Sequence, residues 1–117
     1  MPLLRSFGYA FAGFGHLLRT QRNFRIELAI GLGALAAAAW WRIERWEWAV
    51  LVLTISLVLI LEAVNTAIEN AVTLASPSLD PRAKAAKDVS AAAVLIASFA
   101  ALALGIVIFG PRLTAVP

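Results

Sequence analysis

Val89 to Phe109 reads VSAAAVLIASFAALALGIVIF, without one charged residue. As a helix at about 1.5 Å per residue it is roughly 31 Å long, enough to cross a hydrocarbon core of about 30 Å. Two shorter uncharged runs precede it, Leu28–Trp41 and Trp48–Leu61. Each is roughly 21 Å as a helix and must draw length from its flanks. Trp40, Trp41, Trp46 and Trp48 supply it on one side, since their amphipathic rings suit the membrane interface and bracket a short connection, Arg42 to Glu47. Three transmembrane helices are therefore expected, at about 26–42, 46–75 and 83–109.

Composition agrees. A chain of 117 residues that is 62% hydrophobic and 15% charged is too apolar for a water-soluble globule, and the same values exclude disorder. One membrane domain, residues 1–117, is expected. The absence of cysteine removes disulfides and thiolate chemistry, and the single histidine, His16, argues against a histidine-rich metal site. The net charge of +3 has no soluble domain or basic aromatic patch to carry it to nucleic acid, so it is assigned to lipid headgroups.

Ahead of the first span, Phe7, Phe11, Phe14 and Leu18 recur at helical spacing among basic residues. The pattern predicts an amphipathic surface helix over about 3–24. A cleaved signal peptide competes, but the apolar run that follows ends in tryptophans and charges and has no A-x-A exit. Arg5, Arg19, Arg22 and Arg25 precede the first span, and Arg82, Lys84 and Lys87 belong to the Ser76–Lys87 loop; Arg42, Arg45 and Arg112 fall on the other side. The positive-inside bias puts the amino terminus and that loop in the cytoplasm. Small residues at Gly31, Gly33, Ala34 and Ala37 are expected to pack helices closely.

The chemistry lies in LEAVNTAIENAVTL, residues 61–74, where Glu62, Asn65 and Glu69 interrupt a membrane helix at offsets that share one face. Measured from Trp48 at the outer boundary, Glu62 lies about 21 Å along the helix and Glu69 about 32 Å, so Glu62 is inside the bilayer and Glu69 at its inner surface. An ionisable group at that depth costs at least about 2.5 kcal/mol and persists where a partner, ion or reaction uses it. The structural alternative is helix glue, with Asn65 and a protonated Glu62 bonding a neighbouring helix. AKAAKD, residues 83–88, brings Lys84, Lys87 and Asp88 to the same membrane level. Carboxylates for a base and a Mg²⁺ ion, with lysines for phosphoryl oxygens, form the inventory of phosphate chemistry. Snorkelling toward the interface is the alternative use of the lysines. No GxxxxGK[ST] occurs, and GYAFAGFG at residues 8–15 lacks the spacing of a nucleotide-binding glycine loop.

EAVNTAIE, followed by AKAAKD and an Ala-rich last span, resembles the prokaryotic diacylglycerol kinase family, which includes undecaprenol kinases. The likeness extends over the surface helix and the TQRNFRIE stretch leading into the first span. It implies an all-α homotrimer of the bacterial inner membrane, with a surface helix and three transmembrane helices per protomer and active sites shared between protomers. The implied activity is transfer of the ATP γ-phosphate to a lipid primary hydroxyl. It makes Glu62 the base for that hydroxyl, Asn65 its support, Glu69 a Mg²⁺ ligand, Lys87 and Asp88 ATP contacts beside Lys84, Tyr9 a nucleotide contact, and Glu27 a polar residue at the lipid entrance.

Four positions depart from the family pattern. Gln21 stands where a carboxylate is usual as second metal ligand, Thr73 where an aspartate ends the second-span motif, and Asp80 where a loop histidine is common; Arg5 is the one basic residue near the amino terminus. The leading expectation is an ATP- and Mg²⁺-dependent lipid kinase. Undecaprenol is favoured over diacylglycerol because TQRNF and AKAAKD look more like that branch. The alternatives are a small oligomeric transporter or channel subunit, with Glu62 and Asn65 lining an ion path, and a family member without catalysis.

Overall fold

A computed structural model describes residues 2–78 and 80–114. They form four helices: α1 (Pro2–Thr20), α2 (Arg22–Trp41), α3 (Arg45–Ala75) and α4 (Pro81–Thr114), with no strand among the described residues. α2, α3 and α4 are each long and apolar enough to cross a membrane. α1 is amphipathic and buries none of its residues within the protomer.

Local chemistry decides where each helix ends. Gln21 is extended (φ −111°, ψ 104°) and separates α1 from α2, so the expected continuous helix over 3–24 is broken there. The carboxyl end of α2 is a Schellman motif: Arg42 adopts a left-handed φ of 52°, its N–H reaches the Ala39 carbonyl at 3.3 Å, and the Ile43 N–H reaches Ala38 at 3.2 Å. Ile43 thereby turns into the core beside fully buried Ala38. α3 starts at once, because Glu44 and Glu47 form a reciprocal capping box. The connection expected over Arg42–Glu47 is correspondingly shorter, and Glu47 belongs to the first turn of α3.

The second connection is also shorter than the expected Ser76–Lys87 loop. Pro81 suits the first turn of a helix, and the Asp80 carboxylate accepts the Arg82 backbone N–H at 2.8 Å, so Lys84, Lys87 and Asp88 are helical. The Arg82 guanidinium, 3.3 Å away, and after it that backbone bond hold the Asp80 carboxyl below its ordinary range. At its far end α4 continues through Pro111 to Thr114, beyond the expected limit at 109. Pro111 removes one main-chain donor, and its ring crowds the preceding turn of α4.

The principal contact is the antiparallel pair α3 and α4. α2 lies against α3 at Gly31, where an added Cβ would stand 2.7 Å from Ile55 Cγ2. An apolar core of Ala38, Ile43, Leu51 and Ile108 occupies the end of the bundle near the α2–α3 connection. Toward the other end the interior turns polar, with Glu62, Asn65, Thr66 and Ser90 all buried. Large apolar side chains such as Ile30, Leu53 and Phe99 point outward, as lipid contact requires.

Candidate functional site

The polar half of the bundle is built by α3, with α2 and α4 on either side. Residues 62, 65, 66 and 69 lie on one stripe of α3, and the packing of that stripe buries Glu62 to 4% exposure. The Thr66 hydroxyl donates to the Glu62 main-chain carbonyl at 3.0 Å, whereas the Glu62 carboxylate accepts no hydrogen bond among the described residues. Its oxygens therefore remain able to take a proton. Glu27 on α2 and Glu69 on α3 are each close enough to Glu62 for charge–charge interaction. Three carboxylates thus form a row, and the Oε2 atom of Glu27 is buried without a hydrogen-bond partner.

A side-chain relay crosses from α4 to this row. Ser90 Oγ donates to Asn65 Oδ1 at 2.6 Å, and Asn65 Nδ2 donates to Glu69 Oε1 at 3.3 Å. Lys87, three residues before Ser90, shares that side of α4 and is half-buried. Lys84 pairs instead with Asp88 at 2.6 Å on the exposed surface, so Asp88 is joined to Lys84 and not to Lys87. Tyr9 is 73% exposed on α1 and reaches none of these groups. Gln21 donates its Nε2 to Thr20 Oγ1 at 3.2 Å, which leaves its amide oxygen available at the α1–α2 junction. Phe14 and Phe24 meet edge to face at 5.6 Å and fix α1 against α2.

Two openings flank α3, one of them lined by Glu27 and neither by Glu62 or Glu69. A cleft of about 430 Å³ lies between α1 and α3, with Phe14 and His16 on one wall and Thr66 and Asn70 on the other. A groove of about 520 Å³, apolar except for Glu27 and a few hydroxyls, runs between α2, α3 and α4. Its α4 wall extends from Ser98 to Leu113, a helical rise of about 22 Å.

Among the described residues no three acidic or histidine side chains converge into a cage for a metal ion. Phosphoryl-transfer sites hold Mg²⁺ through one or two carboxylates plus substrate phosphates, and Glu69 offers a half-buried carboxylate of that kind; no hydrogen bond joins it to Gln21 among the described residues.

A family model described as prokaryotic diacylglycerol kinase matches residues 8–109. The chain belongs to that family. It is 47% identical over 104 residues to a diacylglycerol kinase of Synechocystis sp., a match covering 88% of this chain and 59% of that protein. An undecaprenol kinase of Bacillus subtilis is 36% identical over 109 residues, 93% of this chain and 89% of its own. A diacylglycerol kinase of Pseudomonas aeruginosa is 33% identical over 95 residues, 81% and 77% respectively. The chain spans well under two thirds of the Synechocystis protein and most of the other two. These relatives are named as lipid kinases, and a kinase family implies ATP as co-substrate.

Sequence reasoning missed Ser90 and the pairing of Glu47 with Arg112. A serine at the start of an Ala-rich span is a weak sign of a helix-facing hydroxyl. Its partner lies 25 residues away, beyond any local pattern. Arg112 reaches Glu47 at 2.7 Å and 3.0 Å across a separation of 65 residues.

Proposed function

We propose that this chain is an ATP-dependent lipid kinase of the bacterial inner membrane, with its amino terminus in the cytoplasm, in which Glu62 is the general base. The observation that carries the reading is the buried Glu62 carboxylate, without a hydrogen bond among the described residues and within charge–charge range of Glu27, which itself lines an apolar groove. The groove suits the apolar chain of the acceptor, whose primary hydroxyl then lies at the level of Glu27 and Glu62. Glu62 takes the hydroxyl proton as the lipid oxygen bonds to the γ-phosphorus, and the bond to the bridging oxygen breaks to release ADP. Lys87 offsets charge on the phosphoryl oxygens, with Lys84, Asp88 and Tyr9 as further nucleotide contacts. Glu69 and Gln21 would hold Mg²⁺, which when bound supplies charge neutralisation at the phosphates. Asn65 orients this end of the site.

The family resemblance supports a homotrimer whose sites are completed between neighbours, and Tyr9, exposed on α1, is open to contact with another protomer. Undecaprenol is the favoured acceptor, and diacylglycerol presents the same primary hydroxyl. The test is phosphate transfer from labelled ATP with Mg²⁺ in mixed micelles containing either lipid. Transfer to undecaprenol in excess of diacylglycerol is expected. Transfer to neither, with a known kinase active in parallel, overturns the reading.

A further inference from the structure

Asn65 has one carbonyl and one NH₂ group, and only one orientation suits its neighbours. Glu69, when ionised, can only accept, so Asn65 must turn Nδ2 toward it, as the 3.3 Å contact shows. Oδ1 then faces α4, and a donor is required there. Ser90 Oγ fills that place at 2.6 Å, nearer than its other acceptor, the Lys87 carbonyl at 3.0 Å. The hydroxyl carries a single proton, and the shorter contact to Asn65 is the one the relay needs. With Ser90 and Asn65 both buried, water is poorly placed to substitute.

We infer that Ser90 is a positioning residue: it holds the Asn65 amide in the orientation that fixes Glu69 and keeps α4, with Lys87 one turn earlier, in register with that carboxylate. This rests on the kinase reading for its effect on Mg·ATP, but the relay itself exists without ligand. Without the Ser90 donor the amide is free to rotate, Glu69 loses its fixed partner, and the affected step is Mg·ATP binding. Lipid binding at Glu27 uses other groups.

Two measurements test it. In the ligand-free protein, selective ¹⁵N-asparagine labelling gives side-chain signals from Asn23, Asn65 and Asn70 alone. Ser90→Ala should move the Asn65 NH₂ signal and leave that of Asn23 in place, while Ser90→Thr, which keeps the hydroxyl, should hold it near the wild-type position. In the assay, Ser90→Ala should raise the KM for Mg·ATP roughly three- to tenfold, the scale of one lost hydrogen bond, with the lipid KM unchanged. In an Asn65→Ala background the same change should add nothing. Ser90→Cys, close in volume and a weak donor, serves if the alanine variant does not fold. An unmoved Asn65 signal, or an effect that persists in full without Asn65, overturns the inference. A wild-type protein inactive on every lipid whose Asn65 signal still responds to Ser90→Ala refutes the kinase reading and leaves the relay standing.

Discussion

Glu62 and Glu69 are the same residue type, two turns apart on one helix, and their surroundings divide them. Glu62 is buried with no hydrogen bond to its carboxylate, whereas Glu69 is half-buried and accepts from Asn65. A group without donors around it is free to receive a proton, and one held by an amide is oriented to receive a cation. Glu62→Gln should therefore reduce kcat by at least about 10²-fold, the usual scale of lost general-base catalysis. The stabilisation of the protein by Mg·ATP in a thermal shift experiment should survive, since nucleotide binding uses other groups. A glutamine variant with near-normal turnover would remove Glu62 from the reaction.

At the scale of elements, the helices are held at identifiable points. α2 and α3 approach at Gly31, where even one methyl group must displace Ile55. Alanine there gains about 1 kcal/mol of helix propensity, but the methyl meets the stiff, β-branched Ile55 at 2.7 Å, so Gly31→Ala should be destabilising by up to about 2 kcal/mol. Gly31→Leu is bulkier and should destabilise by about 1–3 kcal/mol, the cost of overpacking, with Ile55→Ala restoring part of the loss. Thermal denaturation in detergent reads both. The start of α3 and the end of α4 are joined by Glu47 and Arg112, whose two hydrogen bonds make a fork. Each charge also lies at the helix end whose dipole favours it, Glu47 at an amino end and Arg112 at a carboxyl end. Glu47→Ala and Arg112→Ala should each lower the melting temperature, and the double variant should fall short of the sum of the two. A fully additive result would show that the pair does not act as a unit.

For the whole molecule, buried polar groups stand at both ends of the bundle: Glu47, paired with Arg112, beside the apolar core, and the larger cluster of Glu62, Asn65, Thr66 and Ser90 toward the other end. Only the second cluster holds a buried carboxylate without an ion-pair partner among the described residues, which fits chemistry at one face of the membrane. Lys and Arg divide seven against three between the two sides of the spans, and the positive-inside bias predicts that this face is cytoplasmic. Because the chain has no cysteine, single introduced thiols report sidedness without background. Ser78→Cys and Arg45→Cys both place the thiol at exposed positions in separate connections or helix ends. In intact spheroplasts an impermeant maleimide should label position 45, and position 78 only after permeabilisation. The reverse pattern would invert the orientation and move the proposed site away from cytosolic ATP.

The hydrophobic runs, the shared face of Glu62, Asn65 and Glu69, and the family motifs were legible in the chain because each depends on local composition, helical period or short-range spacing. Three apolar runs became three helices long enough to span, and the stripe on α3 became a buried polar row. Helix ends were less legible, since the Glu44–Glu47 box and the Asp80 cap turn on hydrogen bonds of single side chains and backbone groups, and the Gln21 break on the backbone angles of one residue. The tertiary structure alone decided which groups on different helices meet. Ser90 reaches Asn65, Arg112 reaches Glu47, and Gly31 admits Ile55 only once the rotation and height of each helix about its neighbours are set by packing. Composition and period fix what each helix is, while partners dozens of residues apart are chosen by the fit of whole helix faces.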